Sequence, residues 1–427
     1  MCIRDSRRVE PFRHYQHTVL CRSFSKDLGV AGERIGYLAL HPSLTGAESE
    51  AGLALCQRAL GYVNAPATAQ LALLELPSWE ADATPYRERR DTIADAVVAA
   101  GLQAASVTFV SSQDGWVLGT VGGSLALART QNGGVNWSSV TPPAAAFYAG
   151  PGSTGVDAIR FANQEDGWVY GYDLYATQNG GASWTQVALP GLNLSTGVTP
   201  IQELETSAGS VAAVISGTAD FLIDTAVVGS NSWTTSPTTV AYGAGPIPEA
   251  QLVLQGSSGW VVENDRVVAG GARLQSGAWA AWTAPCSTAN GPATLAGSSS
   301  TNLIAACEAG LYGGTSSPTE QAYTSTTGGG SFTELATALP SACQGSSVLS
   351  SPTTSVAAAG CGGEIVASFN GGGSWATVFT GSGNTSISYI GFTTPTQGVA
   401  IEASLTDSAG PLLMTHDGGH TWAAVTI

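Results

Sequence analysis

The sequence contains one lysine in 427 residues, five histidines and two methionines, and only 11% of it is charged. With so few charges, its surface must be built largely from Gly, Ser, Thr, Ala and Asn. No run approaches the ~18 apolar residues of a membrane-spanning helix, so no membrane span is predicted. The opening stretch, MCIRDSRRVEPFRHYQH, lacks the apolar core of a secretory signal. Basic residues become rarest after residue 103. From 104 to 427 there are four, Arg129, Arg160, Arg266 and Arg273, against nineteen Asp and Glu. So acidic a surface repels phosphate backbones, which argues against a nucleic-acid partner.

What is present divides at about residue 103. Before it, residues 47–60, 65–77 and 83–101 read as helices; in PYRERRDTIADAVVAAGL, Ile93, Val97 and Val98 make one apolar stripe and Gly101 can end it. From Ala104, short β-rich runs such as SVTFV, GWVLG and LALART alternate with Gly, Asn and Ser turns. These runs belong to a repeat. TQNGGVNW (130–137), TQNGGASW (177–184), SFNGGGSW (368–375) and THDGGHTW (415–422) are clear copies, and STTGGGSF (325–332) is a degenerate one. Two weaker copies end at Trp233 and Trp282, and the seven final aromatics stand 43 to 50 residues apart. A unit of about 45 residues suffices for one four-stranded blade, so the spacing predicts a seven-bladed β-propeller.

The octets resemble the Asp-box (BNR) repeat, and the upstream runs VTFVSSQDGWVLG and IRFANQEDGWVYG resemble its Ycf48-type relatives. Within each octet the third residue, Asn132, Asn179, Asn370 or Asp417, can accept backbone N–H bonds of its own turn. The Gly pair supplies positive φ, and the final Trp begins the next strand and packs between blades. These residues therefore read as structural turns. Asp-box propellers include sialidases, whose site by resemblance needs three arginines from different blades, a Tyr–Glu pair and an acidic Asp. Four arginines, two of them seven residues apart, make that reading the weaker one. HDGGH (416–420) has the spacing of a helical zinc site, but its glycines mark a turn, so no metal is expected. A propeller of this kind implies a protein or glycan ligand.

In the first part, VLCRSFSKDLGVAGERIGY (19–37) places Ser23, Ser25, Lys26, Gly32, Arg34, Gly36 and Tyr37 in the order Ser-x-Ser-Lys, then Gly-x-Arg-x-Gly-Tyr. This resembles the cofactor segment of class I/II aminotransferases, fold type I enzymes that use pyridoxal 5′-phosphate, over about 20–102. The resemblance implies Lys26 as the catalytic Schiff-base lysine, with Ser23, Ser25 and Arg34 holding the cofactor phosphate. It also implies a cytoplasmic homodimer. Only twenty-five residues precede Lys26, so the family's Gly-rich loop, ring-stacking aromatic and pyridine-bonding Asp have no counterpart before it.

Cys2, Cys21 and Cys56 show no metal spacing, whereas Cys286, Cys307, Cys343 and Cys361 form two pairs of similar separation. They suggest disulfides and an exported protein, or else four buried small apolar residues. The expected organisation is a non-native-looking or disordered leader (1–19), a truncated α/β aminotransferase fragment (20–103) and a seven-bladed propeller (104–427), mainly β overall. The abrupt change near residue 103 implies a chimeric or truncated reading frame, with a non-catalytic binding propeller. The alternative is an aminotransferase completed by a partner chain.

Overall fold

In the computed structural model, apolar runs of four to eight residues from Gln103 onward pair as antiparallel meanders. The structure describes residues 19–23, 36–40, 101–148, 153–192, 201–243, 249–263, 270–286, 293–309, 319–343, 347–381, 383–404 and 409–427. The helices expected at 47–60, 65–77 and 83–101 lie outside these residues, apart from Gly101, whose φ is +84°. The chain divides into two units, Met1–Ile93 and Ala94–Ile427. In the first, Val19–Ser23 pairs antiparallel with Gly36–Leu40, so that Ser23 stands opposite Gly36.

The second unit is a seven-bladed β-propeller. The inner strands of blades 1 to 7 are Gln103–Phe109, Val156–Phe161, Ile201–Ser207, Ala250–Gln255, Ala293–Gly297, Ser347–Ser350 and Thr385–Phe392. From each, the chain steps outward through three further antiparallel strands; blade 3 carries an additional short strand, Val240–Ala241. Alternation along the strands buries one face against the blade before and the other against the blade after. Thus Trp116, Leu118 and Leu127 of blade 1 pack on Val156, Ile159, Phe161 and Val169 of blade 2. Seven such sandwiches make the core, and the water they exclude is the main stabilising term.

The ring closes without exchanging a strand. Ala104 and Gly410 form two backbone bonds, of 2.7 and 2.9 Å, and the Leu102 N–H donates to the Ile427 carbonyl at 3.4 Å. Val399, Ile401, Leu412 and Met414 of blade 7 then pack on Val107, Val117 and Ala128 of blade 1.

Candidate functional site

Strict alternation would not place charge at the centre of the ring. Four inner strands break it with a bulge, between Ala104 and Ser106, Val156 and Ala158, Ile201 and Glu203, and Ile387 and Tyr389. An extra residue resets which side chains point inward. As a result Ala104 and Val107, Val156 and Ile159, Ile201 and Leu204, and Ile387 and Ile390 are all buried, three residues apart rather than two. The residues between and after them line a central channel of about 720 Å³: Ser106, Asp157, Arg160, Glu203, Glu205 and Tyr389 among them.

The channel's polar groups are tied to neighbouring blades. Arg160 of blade 2 donates through Nε to the Leu204 carbonyl at 3.3 Å and pairs through Nη2 with Glu205 Oε1 of blade 3 at 2.6 Å. Burial alone would favour a neutral guanidine, but Glu205, Tyr389 and Tyr170 outweigh it and hold Arg160 protonated. The Glu203 carboxylate accepts the Leu252 N–H of blade 4. Burial, then the charge of Glu205, pushes Glu203 up to about 8 against the opposing pull of Leu252 and Arg160. Burial also raises Glu205, opposed by Arg160, and lifts Asp157 to about 7. The channel is thus a reservoir of protonatable carboxylates with one charged guanidinium, suited to exchange protons for a cation.

Around the channel, the octets fold alike. In the copy at 177–184, Thr177 Oγ1 accepts the Gly181 N–H at 3.0 Å and donates to Asn179 Oδ1, which accepts the Ser183 N–H at 2.9 Å. The same three bonds recur at Thr130, Ser368 and Thr415. In the degenerate copy Thr327 substitutes for the carboxamide and accepts the Ser331 N–H at 2.9 Å. Gly180 and Gly181, with φ of 69° and 94°, occupy the left-handed region that a β-carbon disfavours. Two units depart from this pattern. Trp233 still precedes the outer strand Thr234–Thr235, but Trp282 does not begin one: it ends Ala278–Trp282, because Ser276 and Gly277, both at positive φ, close blade 4 with a two-residue turn.

The Trp of each DGW or SGW run has a role that spacing alone does not reveal. Trp116 Nε1 of blade 1 donates to the Gly180 carbonyl in the octet of blade 2 at 3.2 Å, and Trp260 of blade 4 repeats this on Gly328 of blade 5 at 3.1 Å. Trp168 of blade 2 faces a blade with no octet, and its buried Nε1 has no partner.

This architecture is similar to two solved structures. The propeller of YCF48 from Cyanidioschyzon merolae superposes with a TM-score of 0.52 at 14% identity, covering 74% of this chain and 96% of that one. A structure described as YCF48 bound to D1 peptide gives 0.50 at 16%, covering 74% and 94%. The propeller is Ycf48-like in fold. A family model for aminotransferase class I and II matches residues 6–151. No curated protein sequence matches the chain. The family match runs past residue 103 through blade 1, whose four strands, Gln103–Phe109 to Ser138–Val140, belong to the Ycf48-like ring.

Of the aminotransferase motif, Ser23 ends the strand Val19–Ser23; Ser25, Lys26 and Arg34 lie outside the described residues. In the Ycf48-like propeller the three described arginines do not converge. Arg129 sits over the Trp116 ring at 4.8 Å, Arg160 lines the channel, and Arg273 reaches toward the Thr327 carbonyl. His420 of the blade 7 octet stacks on Phe369 of the blade 6 octet at 3.7 Å, and among the described residues no three His, Cys, Asp or Glu gather to hold a metal. Cys286 bonds Cys307 and Cys343 bonds Cys361, each joining the connection entering a blade to that blade's second strand. No described helix is long and apolar enough to cross a membrane. Sequence reasoning missed Asp157, Glu203, Glu205 and Tyr389 altogether. The three-residue step between apolar positions in four inner strands was the available signal.

Proposed function

We propose that the propeller is a docking platform that takes a cationic segment of a polypeptide into its central channel. One observation carries this reading: Asp157, Glu203 and Glu205 all line the channel, and among the described lining residues Arg160 is the one cation and is already paired with Glu205. The chain's net charge of −16 favours the same partner at longer range. The YCF48 structure bound to a peptide supports a polypeptide over a glycan, on likeness of fold.

An entering ammonium or guanidinium would stabilise the ionised carboxylates, so binding should release protons. Calorimetry with a lysine-rich peptide, repeated in two buffers of different ionisation enthalpy, measures this directly. Tighter binding as pH rises through about 7 to 8, and weaker binding in Glu203→Gln, is the expected result. Equal binding of a glutamate-rich peptide, or of a neutral glycan, would overturn it.

The family match favours a second element in the reading: residues 20–103 derive from a class I/II aminotransferase, joined here to an exported propeller. Lys26 would then carry the cofactor, with Ser23, Ser25 and Arg34 about its phosphate. Spectroscopic titration with pyridoxal 5′-phosphate tests whether the segment still binds it, since a Lys26-specific absorbance change must vanish in Lys26→Ala. Sequencing codons 100–106 from independent DNA tests the join.

A further inference from the structure

The ring contains a second recess, apart from the channel, and the propeller's own pseudo-symmetry identifies what it fits. At the seam between blades 1 and 2, Trp116 and its cross-strand neighbour Arg129 lie against the first glycine of the next octet, Gly180. A β-carbon on Gly180 would stand 3.1 Å from the Arg129 guanidinium. The seam between blades 4 and 5 repeats the arrangement with Trp260, its neighbour Arg273, and Gly328, where a β-carbon would meet Arg273 at 2.6 Å. In both seams an indole and a guanidinium together fill the space between strand and octet.

The seams between blades 6 and 7 and between blades 7 and 1 hold Ala358 and Ala367, and Val399 and Met414, at these positions. The seam between blades 5 and 6 likewise keeps the receiving half and lacks the filling half. Its octet is intact: the Gly371 N–H donates to the Ser355 carbonyl, as Gly180 and Gly328 donate to Glu165 and Thr301. The positions of the indole and the guanidinium are held by Ile304 and, directly across from it, Thr324. A β-carbon on Gly371 would meet nothing from blade 5, its one near atom being the Thr354 carbonyl oxygen of its own blade. In place of the two side chains there is a pocket of about 190 Å³ lined by Ile304, Thr324, Ser351, Thr354 and Gly371. An engineered apolar cavity of about 150 Å³ is large enough to bind benzene.

We propose that this pocket binds an indole group, ring against Ile304 and N–H directed to the Gly371 carbonyl, as Trp116 and Trp260 are directed to Gly180 and Gly328. The hydroxyls of Thr324, Ser351 and Thr354 flank the position that an arginine occupies in those two seams. The shared chemistry is the indole; it can arrive as a free small molecule or as the tryptophan of a polypeptide. The pocket shares only Ser351 with the lining of the channel, and the proposal stands whether or not the channel takes a cationic segment.

Fluorine NMR of 5-fluoroindole with the full chain tests this. The resonance should broaden with wild-type protein and regain its free width with Ile304→Trp, which rebuilds the occupant found at the seams between blades 1 and 2 and between blades 4 and 5. Benzofuran, of the same shape without the N–H, should compete about fivefold to tenfold more weakly than indole, the loss of one hydrogen bond. N-acetyl-tryptophanamide competing better than indole assigns the pocket to a polypeptide's tryptophan, and worse to a free indole. No broadening by the wild type, undiminished broadening by a folded Ile304→Trp, equal competition by benzofuran, or stronger competition by a simple pyranose would each overturn the proposal. If Ile304→Trp does not fold, the benzofuran comparison on the wild type decides.

Discussion

The indole nitrogen of Trp116 donates to the carbonyl of Gly180, across the seam between two blades and 64 residues along the chain. Trp168, in the equivalent strand of the next blade, is equally buried and has no acceptor for its N–H. The pair makes a controlled comparison. Trp116→Phe removes a made hydrogen bond and leaves a buried carbonyl unpaired, a loss of about 1–3 kcal/mol. Trp168→Phe removes an N–H that was already unsatisfied and should cost less. Denaturant midpoints of the two variants measured side by side check this; equal losses would contradict it.

The octet turns make a second prediction. Thr177→Val keeps the shape but removes the acceptor of the Gly181 N–H and the donor to Asn179, so it should cost about 1–3 kcal/mol. Thr177→Ser keeps both bonds and should restore most of the loss. A Thr177→Val protein as stable as the parent in thermal melts would mean the hydroxyl is not structural.

Asp417 is held down at about 2: burial opposes this, but the Thr421 hydroxyl and N–H, the Thr415 hydroxyl and the charge of His420 prevail. Its folded value lies below an ordinary carboxyl, so its contribution is present at neutral pH and disappears as pH falls through about 2. Carboxyl NMR titration should find Asp417 still ionised at about pH 3, below the value of about 3.9 at which an ordinary aspartate titrates.

The channel acids act with the opposite sign. Asp157 and Glu203 are raised to about 7 and about 8, so between an ordinary carboxyl value and these the folded state holds more protons than the unfolded one. Their contribution is full below about pH 4 and is lost as pH rises through 7 to 8. Glu203→Gln should therefore flatten the decline in melting temperature between about pH 5 and 9. A parent whose melting temperature climbs over that interval would reverse the assignment.

The disulfides Cys286–Cys307 and Cys343–Cys361 close loops with separations of 21 and 18 residues. Each should add about 3 kcal/mol by restricting the unfolded chain. Reductant should lower the melting temperature of the parent and leave a variant with all four cysteines replaced by serine unmoved.

Much of the ring was legible before any coordinates. The octets marked the outer turns because their chemistry is local: a hydroxyl at Thr177, a carboxamide at Asn179 and two glycines are all within one turn. Blade 4 misled the reading because Ser276-Gly277 achieves the same reversal in two residues, moving Trp282 to the far end of its strand. The channel was not legible for a different reason. Glu203 and Glu205 stand in a run, IQELETS, whose apolar residues Ile201 and Leu204 are three apart, and reading that step as a bulge that turns both acids inward needs the register with the neighbouring strand. Partners on neighbouring blades, such as Trp260 and Gly328, become visible only once the blades are stacked.

The clasp of that ring, two backbone hydrogen bonds between Ala104 and Gly410 with no strand crossing over, bears on how such a chain can change length. The octets of blades 1 and 2 both sit between the third and fourth strands, so recombination between them would change the chain by one blade's length and leave a joined sheet whose fourth strand comes from the other blade. A lineage built this way can alter its girth in single steps. The octet sequences, nearly identical at 130–137 and 177–184, supply the homology for such exchanges.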